Sequence, residues 1–213
     1  AYNIIHAIVA EIIDDLGLQP HIEKVHAPIN IRLVDGAGSR LVDERPRAST
    51  KMHSDMWAGE AANAIMIFLP IFGNYQKIGI KWIEPREFPV DYMRPLKDFN
   101  EGIHLIHGGR EYGAILAPGD IVFADPFLIH ATQKDANSLR LSIDFRFITT
   151  QVLDSDNPAP GTRRQNYLVY EEWIDIGKRR ILETDAPLAN YDDRGGSTKD
   201  EYAAPYEIKV LDD

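Results

Sequence analysis

Leu139-Arg140-Leu141-Ser142-Ile143-Asp144-Phe145-Arg146-Phe147 alternates without a break between apolar and polar residues. Strand side chains point to the two faces in turn. Arg140, Ser142, Asp144 and Arg146 therefore share one face, and Leu141, Ile143, Phe145 and Phe147 the other. Such a strand usually turns its polar face to water. In a double sheet the polar face can instead line a cavity, with the apolar face packed under helices. From the pattern alone both readings stand, and a mainly β fold with flanking helices is expected.

Working back toward the N-terminus, Gly113–Leu116 and Ile121–Ala124 flank Pro118-Gly119 and read as a hairpin. Ile78–Ile83 alternates as a strand. Ala64–Leu69 is an apolar run of strand length ended by Pro70, with a turn at Gly73-Asn74. Asn30–Val34 reads as a short strand followed by a turn over Asp35–Ser39, and Arg40–Thr50 as a charged loop. Residues 2–16 place Ile4, Ile5, Ile8, Val9, Ile12, Ile13 and Leu16 at helical spacing, with Gly17 as the stop. Glu84–Arg110, broken by Pro85, Pro89 and Pro95, reads as a long connection suited to covering a substrate.

Beyond Thr149 the strand pattern is lost. Asp154–Gly161 reads as a turn-rich linker, Tyr167–Ile181 as holding a short helix, and residues 183–213 as an acidic surface tail. No internal repeat is visible. The expectation is a single domain over 1–213, with a core of about 30–149 and a C-terminal extension over 150–213.

Composition narrows the chemistry. The chain has 213 residues, enough to bury a core. With no cysteine, disulfides, thiolate zinc sites and iron–sulfur clusters are excluded, leaving histidines and carboxylates as the strong metal ligands. A net charge of −10 argues against nucleic acid as the main partner and favours simple solubility. No apolar run approaches the ~20 residues that span a bilayer, and no basic-then-apolar leader is seen. A cytoplasmic location is the default expectation, although the sequence opens at Ala1 without Met, as a processed or truncated start would.

Two short motifs complete the pattern. His53-Ser54-Asp55 supplies a His and a carboxylate separated by one residue, and His130 precedes the Arg140-x-Ser142 strand. Two histidines and one carboxylate form the facial set that leaves half of an Fe(II) coordination sphere open. Arg140 offers a permanently charged fork for a carboxylate, and Ser142, on the same strand face, a hydroxyl.

Together, His53-x-Asp55, His130 and Arg140-x-Ser142 resemble the non-haem Fe(II)/2-oxoglutarate-dependent oxygenase family over roughly Thr50–Phe147. Ala117-Pro118-Gly119-Asp120, leading toward the distal histidine, adds to the likeness. Thr50–Gly59 with Pro70–Gly73 resembles oxygenases of bacterial surface-carbohydrate gene clusters. The resemblance implies a double-stranded β-helix (a jelly-roll, cupin-like fold). It implies Fe(II) held by His53, Asp55 and His130, and 2-oxoglutarate anchored by Arg140 and Ser142. It also implies O2 as co-substrate, with succinate and carbon dioxide released as a substrate C–H bond is hydroxylated. Related halogenases lack the carboxylate, so Asp55 favours hydroxylation.

Two rivals are a cupin-type metal enzyme needing no oxo acid, against which Arg140 argues, and a carbohydrate-binding jelly roll with a vestigial site. A small sugar-linked metabolite is the first expectation for the substrate, an amino-acid-like or natural-product one the second. Trp57 reads equally as a pocket wall or as core. Arg32 reads as a contact for an anionic substrate or as a surface ion pair. His104 and His107, three apart, read as surface or packing residues rather than ligands.

Overall fold

The computed structural model describes residues 2–37, 43–113, 115–150, 167–176, 180–184 and 206–210. It is mainly β, built from antiparallel sheets with a few helices. No described helix is long and apolar enough to cross a membrane.

The alternating segment forms the longest strand. In chain order the strands and helices around it are α1 (Tyr2–Asp15), β1 (Ile22–His26), β2 (Asn30–Asp35), a single turn α2 (Asp55–Ala58), β3 (Ala64–Gly73), β4 (Ile80–Glu84) and β5 (Arg110–Tyr112). There follow β6 (Val122–Ala124), β7 (Ile129–Thr132), β8 (Leu139–Thr149), β9 (Tyr167–Val169), α3 (Tyr170–Ile176), β10 (Arg180–Thr184) and β11 (Tyr206–Val210). β8 is the spine of a six-stranded sheet. β3 runs along one of its edges; on the other, β2 pairs with its first half and β1 with its last residues. β6 and β9 complete the sheet at its two margins. β4, flanked by β5 and β7, makes a second, three-stranded sheet.

The two faces of β8 have different fates. Phe145 and Phe147 join Ile67 and Leu69 of β3 in the main core, covered by Val9 and Ile13 of α1 and by Trp173 and Ile176 of α3. This is the apolar face under helices that the alternation allows. The opposite face is buried too: Arg140, Ser142, Asp144 and Arg146 are all at most 6% exposed. The water-facing reading of Asp144 and Arg146 therefore fails.

Several local readings are corrected. β3 does not stop at Pro70 but runs to Gly73. β6 pairs with β3 only over Met66–Phe68, so the missing amide of Pro70 breaks no ladder on that side. Gly73 adopts φ +119, and a β-carbon there would lie 2.2 Å from the Leu139 carbonyl oxygen. Only glycine fits this close approach of β3 to β8.

The expected hairpin about Pro118-Gly119 is absent: β6 pairs with β3, and the neighbouring short strand is β5, which pairs with β4. β1 was not foreseen. β9 and α3, expected to lie outside the core, supply the sheet margin and Trp173. β10 and β11 pair with each other, so part of the expected surface tail is a strand. The proposed linker over 154–161 lies outside the described residues.

The stretch from Glu84 to Arg110 is irregular yet packed. It carries 3-10 turns at Val90–Met93 and Phe99–Leu105 and buries Tyr92, Leu96 and Phe99 against Met56, Trp57 and Ile129. The amides of Leu96 and Phe99 donate to the carbonyls of Trp57 and Pro46.

Candidate metal centre

His53 and His130 face each other across an antiparallel bridge, each amide donating to the other's carbonyl at 2.9 and 2.7 Å. This bridge ties the segment before α2 to β7 of the second sheet. Ser54 then caps α2: its Oγ accepts from the Met56 amide at 3.2 Å and its hydroxyl donates to the Pro126 carbonyl at 2.7 Å. The residue between the two motif positions thus starts the turn that swings Asp55 back beside the histidines.

The result is a compact group. One ligand atom from each of His53, Asp55 and His130 lies within 4.8 Å of the others. Nδ1 of His53 sits 2.7 Å from the Lys51 carbonyl, and Nδ1 of His130 sits 3.2 Å from the Leu128 carbonyl. A carbonyl only accepts, so each Nδ1 carries the proton and each Nε2 is left as a lone-pair donor. Asp55 Oδ1 lies 3.8 Å from His130 Nε2, while Oδ2 accepts from Arg146 Nε and Nη2 at 2.9 and 2.8 Å. Arg146 thereby occupies one carboxylate oxygen and leaves the other for a metal.

Electrostatics prepare the same state. Burial lowers the His53 pKa to about 3, with nearby His130 adding to the effect, and burial lowers that of His130. Both imidazoles are neutral, as ligands must be. Burial alone would raise the pKa of Asp55, but Arg146 and the two imidazoles outweigh it and hold the carboxyl well below its ordinary range. Two neutral imidazoles and one ionised carboxylate on a shared point suit a divalent ion such as Fe(II), Mn(II) or Zn(II).

Arg140 lies in the same cleft, about 410 Å³ with its open mouth included, whose walls also carry Met66, Phe68 and Thr132. It is 1% exposed, and its Nη2 donates to Thr132 Oγ1 at 3.2 Å. Nε and Nη1 of Arg140, and Oγ of Ser142, are buried without a hydrogen-bond partner. Burial depresses the Arg140 pKa to about 10, still charged at neutral pH. The aromatic rings of Phe68 and Tyr75 lie 5.4 and 5.8 Å from its guanidinium carbon. A buried guanidinium with two idle donors is costly unless a ligand completes it.

The structure thus brings His53, Asp55, His130 and Arg140 to one cleft; Ser142 is fully buried on the same strand as Arg140 but does not line it. Arg32 lines the cleft as well and is ion-paired to the buried Asp144. Trp57 does not line it: fully buried, it packs in the second core beside Tyr92, and the pocket-wall reading is withdrawn. His104 and His107 are exposed, away from the group.

Sequence reasoning missed Arg146 and Thr132, and also Phe99, whose ring stacks on His53 at 4.4 Å with planes 5° apart. The one available signal was that Arg146 shares a strand face with Arg140. Comparison with protein-family models and with curated proteins finds no match to this chain.

Proposed function

We propose that this chain is an Fe(II)- and 2-oxoglutarate-dependent oxygenase that hydroxylates a small metabolite. On this reading the six-stranded and three-stranded sheets are the two walls of a double-stranded β-helix, with the cleft between them. The observation that carries the proposal is the buried Arg140 guanidinium, with Nε and Nη1 idle, in the cleft that also holds the His-Asp-His group. A metal group alone would fit many enzymes; a vacant, buried carboxylate clamp beside it narrows the choice to a site that takes a metal and an organic acid together.

His53 Nε2, Asp55 Oδ1 and His130 Nε2 would hold the iron. Arg140 Nε and Nη1 with Ser142 Oγ would take the far carboxylate of the oxo acid. When bound, iron and oxo acid together supply the oxidising power from dioxygen, with loss of carbon dioxide and formation of succinate. The residues of the chain contribute placement. Arg146 fixes the carboxylate, the Lys51 and Leu128 carbonyls fix the imidazoles, and Met66, Phe68 and Ile80 line the cleft as apolar wall. With a metal bound, the histidines would be committed by both nitrogens, Nδ1 to carbonyls and Nε2 to the ion, and would take no part in acid–base work.

The test is single-turnover formation of succinate from 2-oxoglutarate by the Fe(II)-loaded chain in air. His53→Ala, Asp55→Ala and His130→Ala should each lose Mn(II) binding as well as turnover. Unchanged Mn(II) affinity in all three would remove the metal assignment. Metal binding without any oxo-acid turnover would leave a metal enzyme of another kind.

A further inference from the structure

Beside this cleft lies a second, open cavity of about 880 Å³ with its mouth included, lined in part by Asp43, Thr50 and Lys134. The two cavities share three residues: Arg32, Ser49 and Thr132. All three offer hydrogen-bond donors. Thr132 Oγ1 accepts from Arg140, which leaves its own proton to donate, and Ser49 Oγ makes no hydrogen bond among the described residues. Lys134, a cation that lines the second cavity, is already matched by Asp43 at 2.7 Å.

Arg32 differs from Arg140 and Arg146 in being accessible. Its side chain is 42% exposed, whereas its partner Asp144 is 5% exposed. Asp144 takes Arg32 Nε on Oδ1, and its Oδ2 accepts from Asn30 Nδ2 at 2.9 Å. Arg32 Nη2 lies 3.4 Å from that oxygen, and Nη1 makes no hydrogen bond among the described residues. The guanidinium is therefore held by one edge and open on the other, at the seam between the cavities.

Of the three arginines lining the cleft, Arg140 and Arg146 are buried and Arg32 is the accessible one. We propose that Arg32, Ser49 and Thr132 form an anion subsite that receives a carboxylate or phosphate group of the substrate, with the rest of the substrate in the cleft and the adjoining cavity. The inference rests on the oxygenase reading only for calling the anion a substrate; the subsite itself is preformed by Asp144 and needs no metal.

The experiment titrates the metal-free full chain with inorganic phosphate and, separately, with acetate by calorimetry. Both arms should show binding, the tighter one indicating which oxyanion the seam prefers. Arg32→Gln should weaken it tenfold or more. Arg32→Lys keeps a charge opposite Asp144 and should recover only part, because lysine lacks the second edge of the fork. If Arg32→Gln does not fold, Arg32→Lys and Ser49→Ala carry the test by the same readout.

Unchanged anion affinity in both of these variants overturns the subsite. So does an equal loss of 2-oxoglutarate affinity in the Mn(II)-loaded Arg32 variants, which would assign Arg32 to the oxo acid. With Fe(II), 2-oxoglutarate and air, succinate release should respond to glucose 6-phosphate or gluconate more than to glucose. Greater stimulation by glucose overturns the substrate class. Arg32-dependent phosphate binding with no succinate under any condition would sink the oxygenase reading while the anion subsite stands.

Discussion

Arg146 grips Asp55 by one oxygen only. Nε and Nη2 both donate to Oδ2, at 2.9 and 2.8 Å, and Oδ1 is turned toward His130. Arg146 also lies 3.6 Å from Asp144 and 4.0 Å from Glu60, so it sits among three carboxylates. Burial works against its charge, but those three partners raise its pKa well above the ordinary value.

Arg146→Ala is expected to weaken Mn(II) binding by about 10–100-fold, the usual effect of losing a residue that orients a metal ligand. It should also destabilise the metal-free chain by ~3–5 kcal/mol, because Asp55 and Asp144 are left as buried, under-compensated charges. Arg146→Lys should restore stability better than metal affinity, since a single ammonium cannot reproduce the two-point grip. Mn(II) titration followed by paramagnetic resonance, together with urea unfolding, measures both. Metal affinity unchanged in a folded Arg146→Ala chain would show that Asp55 needs no such support.

Arg140 gives the opposite sign on stability. Its buried Nε and Nη1 have no partner without a ligand, so the guanidinium is a liability to the empty fold. Arg140→Met, similar in shape and uncharged, is expected to raise the melting temperature of the ligand-free chain. The same change should weaken 2-oxoglutarate binding by roughly 1.5–3 kcal/mol, the scale of a charge-assisted hydrogen bond. Lower stability with unchanged oxo-acid affinity would mean that Arg140 serves the fold rather than a ligand.

These two arginines show what the sequence made legible. Strand alternation placed Arg140 and Ser142 on one face, and their position after His130 gave that face a chemical meaning. The same alternation put Arg146 there too, but a polar residue on a strand is equally at home in water. Only burial separates the two cases: Arg146 is 6% exposed and lines the cleft. Phe99 and His53 meet through packing between segments distant in sequence, which no local pattern encodes. The hairpin that was expected but does not form has a similar cause: Pro118-Gly119 does make a turn, but β6 finds β3, a better-buried partner than the exposed β5 that precedes the turn. Trp57 was undecidable because a large aromatic beside a ligand fits a pocket or a core equally well. Its burial among Tyr92, Leu96 and Phe99 depends on the irregular segment folding back.

Acid should unfold the metal-free chain earlier than its net charge suggests. An unfolded histidine titrates near 6.5, whereas His53 in the fold titrates at about 3 because burial disfavours its cation. Between those values the unfolded chain binds a proton that the folded chain refuses. Stability therefore falls as pH drops, by up to ~1.4 kcal/mol per pH unit for each such group. His130, also lowered by burial, acts with the same sign. Asp55 adds to the loss only further down: its depressed pKa stabilises the fold above the ordinary carboxylate value, and that stability vanishes as the carboxyl protonates. Urea midpoints between about pH 7 and pH 4.5 should fall steadily, and His53→Gln should flatten the slope. An equal slope in that variant would place the acid sensitivity elsewhere.

The segment from Glu84 to Arg110 was expected to close over substrate, and its packing divides it in two. Leu96 and Phe99 are buried, their amides bonded to Trp57 and Pro46, and Phe99 stacks on His53. Gly102 lies against Trp57 so closely that a β-carbon there would sit 2.5 Å from the indole ring. This half braces His53 and Asp55, whereas Ile103, His104 and His107 are exposed. Hydrogen exchange should therefore find the Leu96 and Phe99 amides protected before any ligand is added, with changes on metal and oxo-acid loading confined to about 103–109. Gly102→Ala, overpacking the indole, should cost roughly 1–3 kcal/mol and weaken Mn(II) binding, because Trp57 belongs to the same helical turn as Asp55. Rapid exchange at Leu96 and Phe99 in the ligand-free chain, or a Gly102→Ala chain with unaltered metal affinity, would return the whole segment to the role of a mobile cover.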